Sequence, residues 1–179
     1  MTNFDKKVIH SWRIGSGCII INIDKIEGNN RIEQNLAKQE VFPEATSFSN
    51  LYYGKDAVSS VFAAVDNDKN TLGWCVNVKP KGYGGEIDLI VGIKKDGTLS
   101  GIKVVSNSET AGLGAKCTDE KFTAQFAGKV LPLSVVKTGA KENNEVSAIT
   151  GATITTKAIS SGVNAAFDAV KSFGGGKDE

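Results

Sequence analysis

The sequence predicts an α+β domain whose central sheet is mainly antiparallel. Short β-rich runs separated by turn residues follow one another through the middle of the chain, without helices between them. Helical periodicity is confined to a segment before these runs, a short segment after them and a long segment near the end. Strands grouped together, with helices at their flanks, are typical of α+β folds and not of alternating βαβ folds.

The composition excludes several classes of function. At 179 residues the chain can form one domain with an ordinary core. Its 21 Lys+Arg and 20 Asp+Glu give a formal net charge of +1, so we expect no nucleic-acid partner. The three cysteines form no CxxC pair, and the single histidine, His10, lies in a segment without periodicity. We therefore expect no metal site and no catalytic residues.

Both ends of the chain are expected to lie outside the folded domain, which we place at residues 27–173. Residues 1–26 show no helical or strand periodicity and contain no apolar run long enough for a membrane helix. We interpret them as a leader or vector-derived segment, and expect a soluble chain without a membrane anchor or membrane contact. Residues 174–179 begin with three glycines and are predicted to be a flexible tail.

The first half of the domain is predicted to contain a helix followed by two hairpins. Apolar residues at helical spacing predict a helix over residues 27–40, which ends before Pro43 because proline disfavours the helical conformation in the preceding residue. Residues 45–50 are predicted to be a connector. The Asp96-Gly97 pair is a strong hairpin signal. The β-rich runs predict strands over residues 51–54, 58–65, 71–78, 86–93 and 98–105.

The second half is predicted to contain two helices and one strand. Phe122 and Phe126 stand at i,i+4 spacing and predict a short helix over residues 118–126. A last strand is predicted over residues 131–138. The final helix is predicted to begin within the Thr-rich segment at 150–156 and to continue to the end of the domain.

The Thr-rich segment TGATITT at 150–156 carries the clearest chemical signal in the chain. A helix N-terminus has unpaired N–H groups and the positive end of the helix dipole, so hydroxyls and a glycine at that place suit a phosphate or another anion. The same residues suit an ordinary N-cap, because Ser and Thr are common at helix starts. The segment by itself leaves both interpretations open.

The two glycine-rich loops lack the common nucleotide-binding motifs. Gly112 and Gly114 are followed by Cys117, where a dinucleotide-binding fingerprint requires a third glycine. Neither loop ends in Gly-Lys-Ser/Thr, so a P-loop is excluded as well. A hydrolase with Thr153 as the nucleophile is disfavoured, because the sequence offers no Ser/His/Asp set to orient a base.

Three segments, in this order along the chain, resemble the FMN-binding domain family. The segment GYGGEI at 82–87, with the hairpin that follows it, is similar to the central strands of the family. SETAGLGAK at 108–116 is similar to its E-T-P-G-L-G segment. TGAT at 150–153 is similar to its S/T-G-A-T signature, in which the last threonine carries FMN through a phosphoester bond. The likeness is closest to family members that are G subunits of Rnf-type ion-translocating oxidoreductases, with C subunits of the sodium-pumping NADH:quinone oxidoreductase as near relatives.

The resemblance implies a flavin-based electron carrier. A separate flavin transferase would take FMN from FAD and join it to the Thr153 hydroxyl. The domain would then pass electrons between other subunits of an Rnf-type or Nqr-type complex, on the extracytoplasmic face of the cell membrane, and would need no substrate site of its own. The cofactor-binding residues expected on this interpretation are Thr153 for the covalent bond, together with Tyr83, Gly84, Gly85, Glu109, Thr110, Gly112, Leu113, Gly114, Lys116, Thr150, Gly151, Ala152, Thr155 and Thr156.

A different class of function fits the same Thr-rich segment. In this alternative the chain is a non-redox anion-binding or interaction module, and the threonines only cap a helix. The two interpretations differ in what they expect of the Thr153 hydroxyl, which is either a point of covalent attachment or a donor or acceptor within the cap.

Overall fold

A five-stranded antiparallel sheet forms the centre of the structure, a computed structural model that describes residues 33–54 and 57–172. Its strands lie in sequence order and each pairs with the next. They are β1 (Ser47–Tyr53), β2 (Val58–Val65), β3 (Thr71–Val78), β4 (Ile87–Lys94) and β5 (Leu99–Asn107). The predicted α+β fold with a mainly antiparallel sheet is therefore confirmed.

The turn between β4 and β5 has the geometry that its Asp-Gly pair predicts. The Lys94 N–H donates to the Thr98 carbonyl at 2.8 Å, and the Gly97 N–H donates to the Lys94 carbonyl at 3.0 Å. Gly97 has φ +82°, a conformation that glycine adopts without the steric cost of a Cβ atom. The predicted hairpin at Asp96-Gly97 is confirmed.

One face of the sheet is covered by the long C-terminal helix α3 (Thr153–Ser172). Its inward stripe consists of Ile159, Val163, Ala166 and Val170, which recur at helical spacing and are all buried. Complete burial of an aliphatic side chain of this size contributes about 1.5–3 kcal/mol, so this stripe fixes α3 on the sheet. The helix start is thereby held at one end of the sheet.

The other face of the sheet is covered by helix α1, of which residues 33–41 are described. The predicted helix over 27–40 lies partly outside the described residues, and its described part is helical. A second apolar cluster lies between this helix and the sheet. Its buried members are Ala37, Val41, Phe42, Ala45, Ala64, Cys75 and Ile90.

Strand β3 shows why both faces are buried. Trp74, Val76 and Val78 belong to the cluster under α3, whereas Cys75 belongs to the cluster under α1. Successive side chains of a strand point to opposite faces, so a strand that is covered on both sides has a continuous apolar run instead of an alternating one. The sequence from 74 to 78 has this character except at Asn77.

Two predicted segments near the ends of the sheet differ from the structure. The connector predicted over 45–50 is wrong, because β1 begins at Ser47, which pairs with Val65. The polar residues at the start of β1 do not form the apolar pattern of a strand. This part of the chain is a strand because it pairs with β2. The helix predicted over 118–126 is divided into the 3₁₀ helix Gly114–Thr118, the short helix α2 (Glu120–Thr123) and the 3₁₀ helix Ala124–Phe126.

The strand predicted over 131–138 is shorter in the structure. Only β6 (Ser134–Val136) forms there, and it pairs in parallel with β7 (Glu145–Ser147), which the sequence did not predict. Strands of three residues are too short to show a periodic pattern. The predicted contact of Phe122 with Phe126 is confirmed, since their rings meet edge to face with centroids 5.3 Å apart.

The segments predicted to flank the domain, 1–26 and 174–179, lie outside the described residues. Within 33–54 and 57–172, no helix has the length and apolar character needed to cross a membrane. The same part of the chain contains no cluster of His, Cys, Asp and Glu that could hold a metal ion.

Candidate functional site

The N-terminus of α3 meets two loops of the sheet, and a cavity of about 480 Å³ lies between them. We call it the α3 cavity. Its volume falls within the range of roughly 300–1,000 Å³ that small-molecule sites occupy. The residues that line it are Tyr83, Glu109, Thr110, Leu113, Gly114, Gly151, Ala152, Thr153, Ile154 and Thr155. All but Ile154 are residues that the sequence predicted for the site.

Glu109 joins the three segments that surround the cavity. Its Oε1 accepts a hydrogen bond from the Gly84 N–H at 2.9 Å, and its Oε2 accepts one from the Thr155 hydroxyl at 2.6 Å. Its own N–H donates to Oδ1 of Asn107 at 3.0 Å. The carboxylate thus fixes the loop before β4 and the loop after β5 to the first turn of α3.

Glycines allow the backbone to approach this carboxylate closely. A Cβ atom on Gly114 would overlap Oε2 of Glu109 and would lie 2.8 Å from Oγ1 of Thr155. A Cβ atom on Gly84 would overlap the backbone carbonyl oxygen of Ser108. Both positions therefore require glycine for reasons of space, and neither is a phosphate-binding glycine of a nucleotide motif.

Gly151 has a different role at the mouth of the cavity. Its φ of +80° lies in the left-handed region, which glycine adopts readily. This turn precedes α3, and the Ala152 N–H donates to the Ile149 carbonyl at 2.9 Å. Gly151 thus sets the direction in which the chain enters the helix, and Thr153 becomes the first residue of α3.

The four threonines of the Thr-rich segment have different environments. Thr153 is exposed and lines the cavity, and within the described part of the chain its hydroxyl makes no hydrogen bond. Thr155 lines the cavity as well, but its hydroxyl donates to Glu109. Thr150 is exposed and lies outside the cavity lining.

Thr156 corrects one expectation. We expected it among the cofactor-binding residues, but its side chain is buried and outside the cavity lining. Its Oγ1 accepts from the Ile149 N–H at 3.0 Å and donates to the Ala152 carbonyl at 3.1 Å. A hydroxyl has one donor, and here the helix uses it. Thr156 stabilises the turn before α3 and does not face a ligand.

The hydroxyls of this segment do not act as N-caps. Alanine, Ala152, precedes the first residue of α3, and alanine has no side-chain acceptor. Among the hydrogen bonds of the described residues, none runs from an N–H of the first turn of α3 to a threonine hydroxyl. The Thr156 N–H donates to the Ala152 carbonyl at 3.1 Å, whereas the earlier N–H groups of this turn remain available to another acceptor, as expected at a helix start.

Three large apolar side chains around the cavity are exposed. Tyr83 is 73% exposed, Leu113 is 45% exposed and Ile154 is 57% exposed. Apolar groups that gather around one cavity indicate a surface for a ligand or partner more strongly than scattered ones do. Ile154 is a lining residue that was not predicted from the sequence. The sequence did contain a signal for it, because Ile154 is an apolar residue between two threonines at the helix start and does not belong to the inward stripe of α3.

Six predicted residues do not line the cavity, and they are Gly84, Gly85, Gly112, Lys116, Thr150 and Thr156. Gly84 contributes indirectly through its hydrogen bond to Glu109. Lys116 is exposed, and within the described residues it forms no ion pair with Glu109.

The charge of the cavity lining is negative. Among the residues that line it there is no Lys or Arg, and Glu109 is its only carboxylate. The nearby thiol of Cys117 experiences the same environment: burial, and secondly the charge of Glu109, raise its pKa to about 11. The residues that line the site therefore offer hydroxyls to an anion but no cationic side chain, and the start of α3 adds backbone N–H groups.

Comparison with known proteins relates this site to flavin binding. Residues 82–168 match the family described as the FMN-binding domain, a range that includes both loops of the cavity and most of α3. The G subunit of the proton-translocating ferredoxin:NAD(+) oxidoreductase complex of Clostridium ljungdahlii is 37% identical over 145 residues, covering 80% of this chain and 75% of the relative. The G subunit of the Na(+)-translocating ferredoxin:NAD(+) oxidoreductase complex of Acetobacterium woodii is 38% identical over 157 residues, covering 78% of this chain and 74% of the relative.

Two solved structures share the fold. The C subunit of the Na(+)-translocating NADH-quinone reductase of Parabacteroides distasonis superimposes with a TM-score of 0.65 at 19% identity, covering 88% of this chain and 98% of the other. The crystal structure of NqrC from Shewanella oneidensis gives a TM-score of 0.57 at 23% identity, covering 73% of each chain. At these identities the likeness concerns the fold alone.

Proposed function

The chain belongs to the FMN-binding domain family, among the G subunits of ion-translocating oxidoreductase complexes, and from this premise we propose that it is a flavin-based electron carrier with FMN joined to Thr153. The bond is a phosphoester to Oγ1 of Thr153. The electrons pass between neighbouring subunits of an Rnf-type or Nqr-type membrane complex, and the chain needs no substrate site of its own.

One observation carries the choice of Thr153. It is the only threonine of the Thr-rich segment that both lines the α3 cavity and keeps its hydroxyl free of hydrogen bonds within the described residues. Thr155 shares the cavity, but its hydroxyl is held by Glu109, and the hydroxyl of Thr156 is buried in the turn. Thr150 lies outside the cavity. A nucleophilic hydroxyl must be reachable and uncommitted, and within the Thr-rich segment Thr153 is the threonine that offers such a hydroxyl to the cavity.

The residues of the cavity fit FMN. The N–H groups in the first turn of α3 would hold the phosphate, since a helix start favours an anion. The exposed side chains of Tyr83, Leu113 and Ile154 would provide apolar surface for the isoalloxazine ring. The flavin, when bound, would supply the redox chemistry, while the residues of this chain bind it and orient it.

A covalent bond also fits the charge of the lining. Hydrogen bonds from cationic side chains are among the strongest contacts that can hold a free phosphate, because they are charge-assisted. The α3 cavity has none among its lining residues. A phosphoester bond retains the cofactor without such side chains, and it reduces the phosphate from about two negative charges to one.

The attachment step balances without an oxidant or reductant. Oγ1 of Thr153 forms the new bond to the FMN phosphorus of FAD, the bond from that phosphorus to the AMP portion breaks, and AMP leaves. The hydroxyl proton must go to a base. Glu109, the carboxylate of the lining, already accepts hydrogen bonds from Gly84 and Thr155, and no Lys or Arg lines the cavity, so we assign the base to the flavin transferase, the partner that this step would require.

The alternative, a module whose threonines only cap a helix, is weakened by the geometry. Ala152 precedes the helix, and no threonine hydroxyl accepts an N–H of the first turn among the described hydrogen bonds.

We also propose that the native protein belongs to the cell membrane complex, with this domain on the extracytoplasmic face. The membrane location is supported by the relatives, which are subunits of ion-translocating complexes.

The test is to express the full chain together with a flavin transferase and to denature it in acid. We expect a flavin that stays with the protein and a matching increase in the mass of the intact chain. Thr153→Val should abolish both. The matched control is Thr138→Val, which removes an exposed hydroxyl outside both the cavity lining and the Thr-rich segment and should load normally. A Thr153→Val chain that still carries covalent flavin would contradict the proposal.

A further inference from the structure

The α3 cavity places a negative charge beside the start of a helix, where an anion is expected to bind. Oε2 of Glu109 is 2.6 Å from Oγ1 of Thr155, which lies in the same helical turn as Thr153. Both carboxylate oxygens accept hydrogen bonds, which is the pattern of an ionised carboxylate. The helix start and the carboxylate therefore act on a nearby phosphate in opposite directions.

Magnitudes decide which effect is larger. The start of a helix is equivalent to roughly half a positive elementary charge. Glu109 contributes one full negative charge, and among the lining residues no Lys or Arg compensates it. The hydrogen bonds from Gly84 and Thr155 keep this charge in place. The sum of these two contributions is negative, in contrast to a phosphate site lined by cationic side chains.

We propose that Glu109 is a specificity-determining residue of the α3 cavity, whose charge weakens the binding of free FMN and favours a flavin whose phosphate is singly charged, as in the ester, or absent. This inference rests on the proposed function, because it concerns the same cavity and the same cofactor. It assigns to Glu109 two effects: its hydrogen bonds position the loops, and its charge selects among flavins.

It follows that, before any covalent attachment, the cavity should bind some free flavins more tightly than others. Riboflavin has no phosphate and is neutral, whereas free FMN carries about two negative charges near neutral pH. Both have the same ring and ribityl chain, so their affinities differ through the phosphate. A cavity that is ordinary for flavin phosphates would bind FMN more tightly, whereas the negative α3 cavity should bind riboflavin more tightly.

The experiment uses the full chain produced without a flavin transferase, titrated with riboflavin and with FMN while flavin fluorescence is measured. Glu109→Gln is the key variant, since the amide oxygen can accept from Gly84 and the amide nitrogen can donate to the Thr155 hydroxyl. It removes the charge and keeps both contacts. The matched control is Glu120→Gln, which removes one carboxylate from α2, outside the cavity lining.

We expect Glu109→Gln to strengthen the binding of FMN at least about tenfold, which is the effect of one charge pair about 10 Å apart at an effective dielectric constant of about 20, since free FMN carries about two charges. Riboflavin binding should change less than about twofold, since no phosphate is present to feel the charge. Salt should raise the affinity of the unmodified chain for FMN, because it screens repulsion. Glu120→Gln should leave the ratio of the two affinities unchanged. Equal gains for both flavins in Glu109→Gln, or tighter binding of FMN than of riboflavin by the unmodified chain, would overturn the inference.

A second measurement decides the matter if neither free flavin binds measurably. In the chain loaded by the transferase, the midpoint potential of the tethered flavin should become more positive in Glu109→Gln, since reduction adds negative charge that Glu109 opposes. Equal potentials in the two proteins would overturn the inference. The two proposals fail differently: a chain that takes up no covalent flavin contradicts the tether at Thr153, while the free-flavin titration still measures the charge of Glu109.

Discussion

The hydroxyl of Thr155 donates a 2.6 Å hydrogen bond to Oε2 of Glu109, a residue 46 positions earlier in the sequence. This contact joins the first turn of α3 to the loop that follows β5. Because Oε1 of the same carboxylate accepts the Gly84 N–H, the loop before β4 is joined to them as well. The shape of the α3 cavity therefore depends on one carboxylate and its two donors.

Replacing Thr155 with valine should lower the free energy of unfolding by about 2 kcal/mol. The substitution keeps the size of a buried side chain but removes a hydrogen bond to a charged group. The shift of the urea midpoint at unchanged slope measures the loss. Thr155→Ser, which keeps the hydroxyl, is the control and should recover most of it. Equal losses in the two variants would show that the hydrogen bond is not the cause.

Replacing Gly84 with alanine should destabilise the loop before β4 and reduce flavin loading. The added Cβ would overlap the carbonyl oxygen of Ser108, a backbone atom that cannot turn aside. Overpacking of this kind costs about 1–3 kcal/mol. Gly101→Ala is the matched control, because a Cβ there meets nothing within 4 Å. Thermal melts and intact mass after loading measure both effects, and a Gly84→Ala chain as stable as Gly101→Ala would contradict the prediction.

The buried thiols should be unreactive in the folded protein. Burial raises the pKa of Cys75 to about 12 and that of Cys117 to about 11, so both remain protonated at pH values where an ordinary thiol, with pKa 9.0, ionises. A Cys18→Ser variant treated with iodoacetamide at pH 9.0 should show no added mass when folded and two additions in urea. Rapid labelling of the folded chain would disprove this assignment.

The same shifts predict how stability depends on alkaline pH. When folding raises the pKa of an acidic group, that group stabilises the folded state fully at pH values below its pKa in the unfolded chain. The stabilisation is lost as the pH rises through the pKa of the group in the folded protein. For the thiols of Cys75 and Cys117 the loss begins near pH 9.0 and continues past about pH 11. The alkaline decrease in the free energy of unfolding should be smaller in Cys75→Ala than in the unmodified chain.

Asp96 should contribute stability that disappears in acid. Its Oδ1 accepts hydrogen bonds from the hydroxyl and the N–H of Thr98, and these bonds hold its pKa below the ordinary 3.8. A lowered pKa means that the contribution is present above pH 3.8 and is lost as pH falls through the folded-state value. Because the group is exposed, we expect Asp96→Ala to cost about 1 kcal/mol or less at neutral pH.

The pH series provides its own control for Asp96. Asp96→Asn keeps an oxygen acceptor but cannot titrate. The difference in free energy of unfolding between Asp96→Asn and Asp96→Ala should therefore stay constant as the solution is acidified. The difference between the unmodified chain and Asp96→Ala should narrow over the same range. A constant difference in both comparisons would contradict the role given to this carboxylate.

The sheet and the long helix could be predicted because their signals are local. Asp96-Gly97 specifies a hairpin within a few residues, and the stripe from Ile159 to Val170 repeats over several turns. The first half of β1 and all of β7 could not be predicted in the same way, whereas residues 51–53 of β1 lie in the strand predicted over 51–54. Their pairing is supplied by β2 and β6, which contribute hydrogen bonds that no pattern within the strands records.

The site was predicted unevenly for the same reason. Tyr83, Glu109 and Thr153 were found through motifs, and the fold brings them to one cavity. The motif could not show that Glu109 binds Thr155, because that contact depends on the packing of α3 against the sheet. Nor could it show that Thr156 turns inward, since a hydroxyl at a helix start can face either the ligand or the preceding turn.

The measurement that tests the central claim most directly is the location of the flavin on the chain. Tryptic digestion of the loaded protein should release residues 142–157 as one peptide, and this peptide contains all four threonines of the Thr-rich segment. Fragmentation by tandem mass spectrometry should place the FMN phosphate on Thr153 and leave Thr150, Thr155 and Thr156 unmodified. Flavin on another residue, or a peptide without flavin from a chain expressed with an active transferase, would contradict the account.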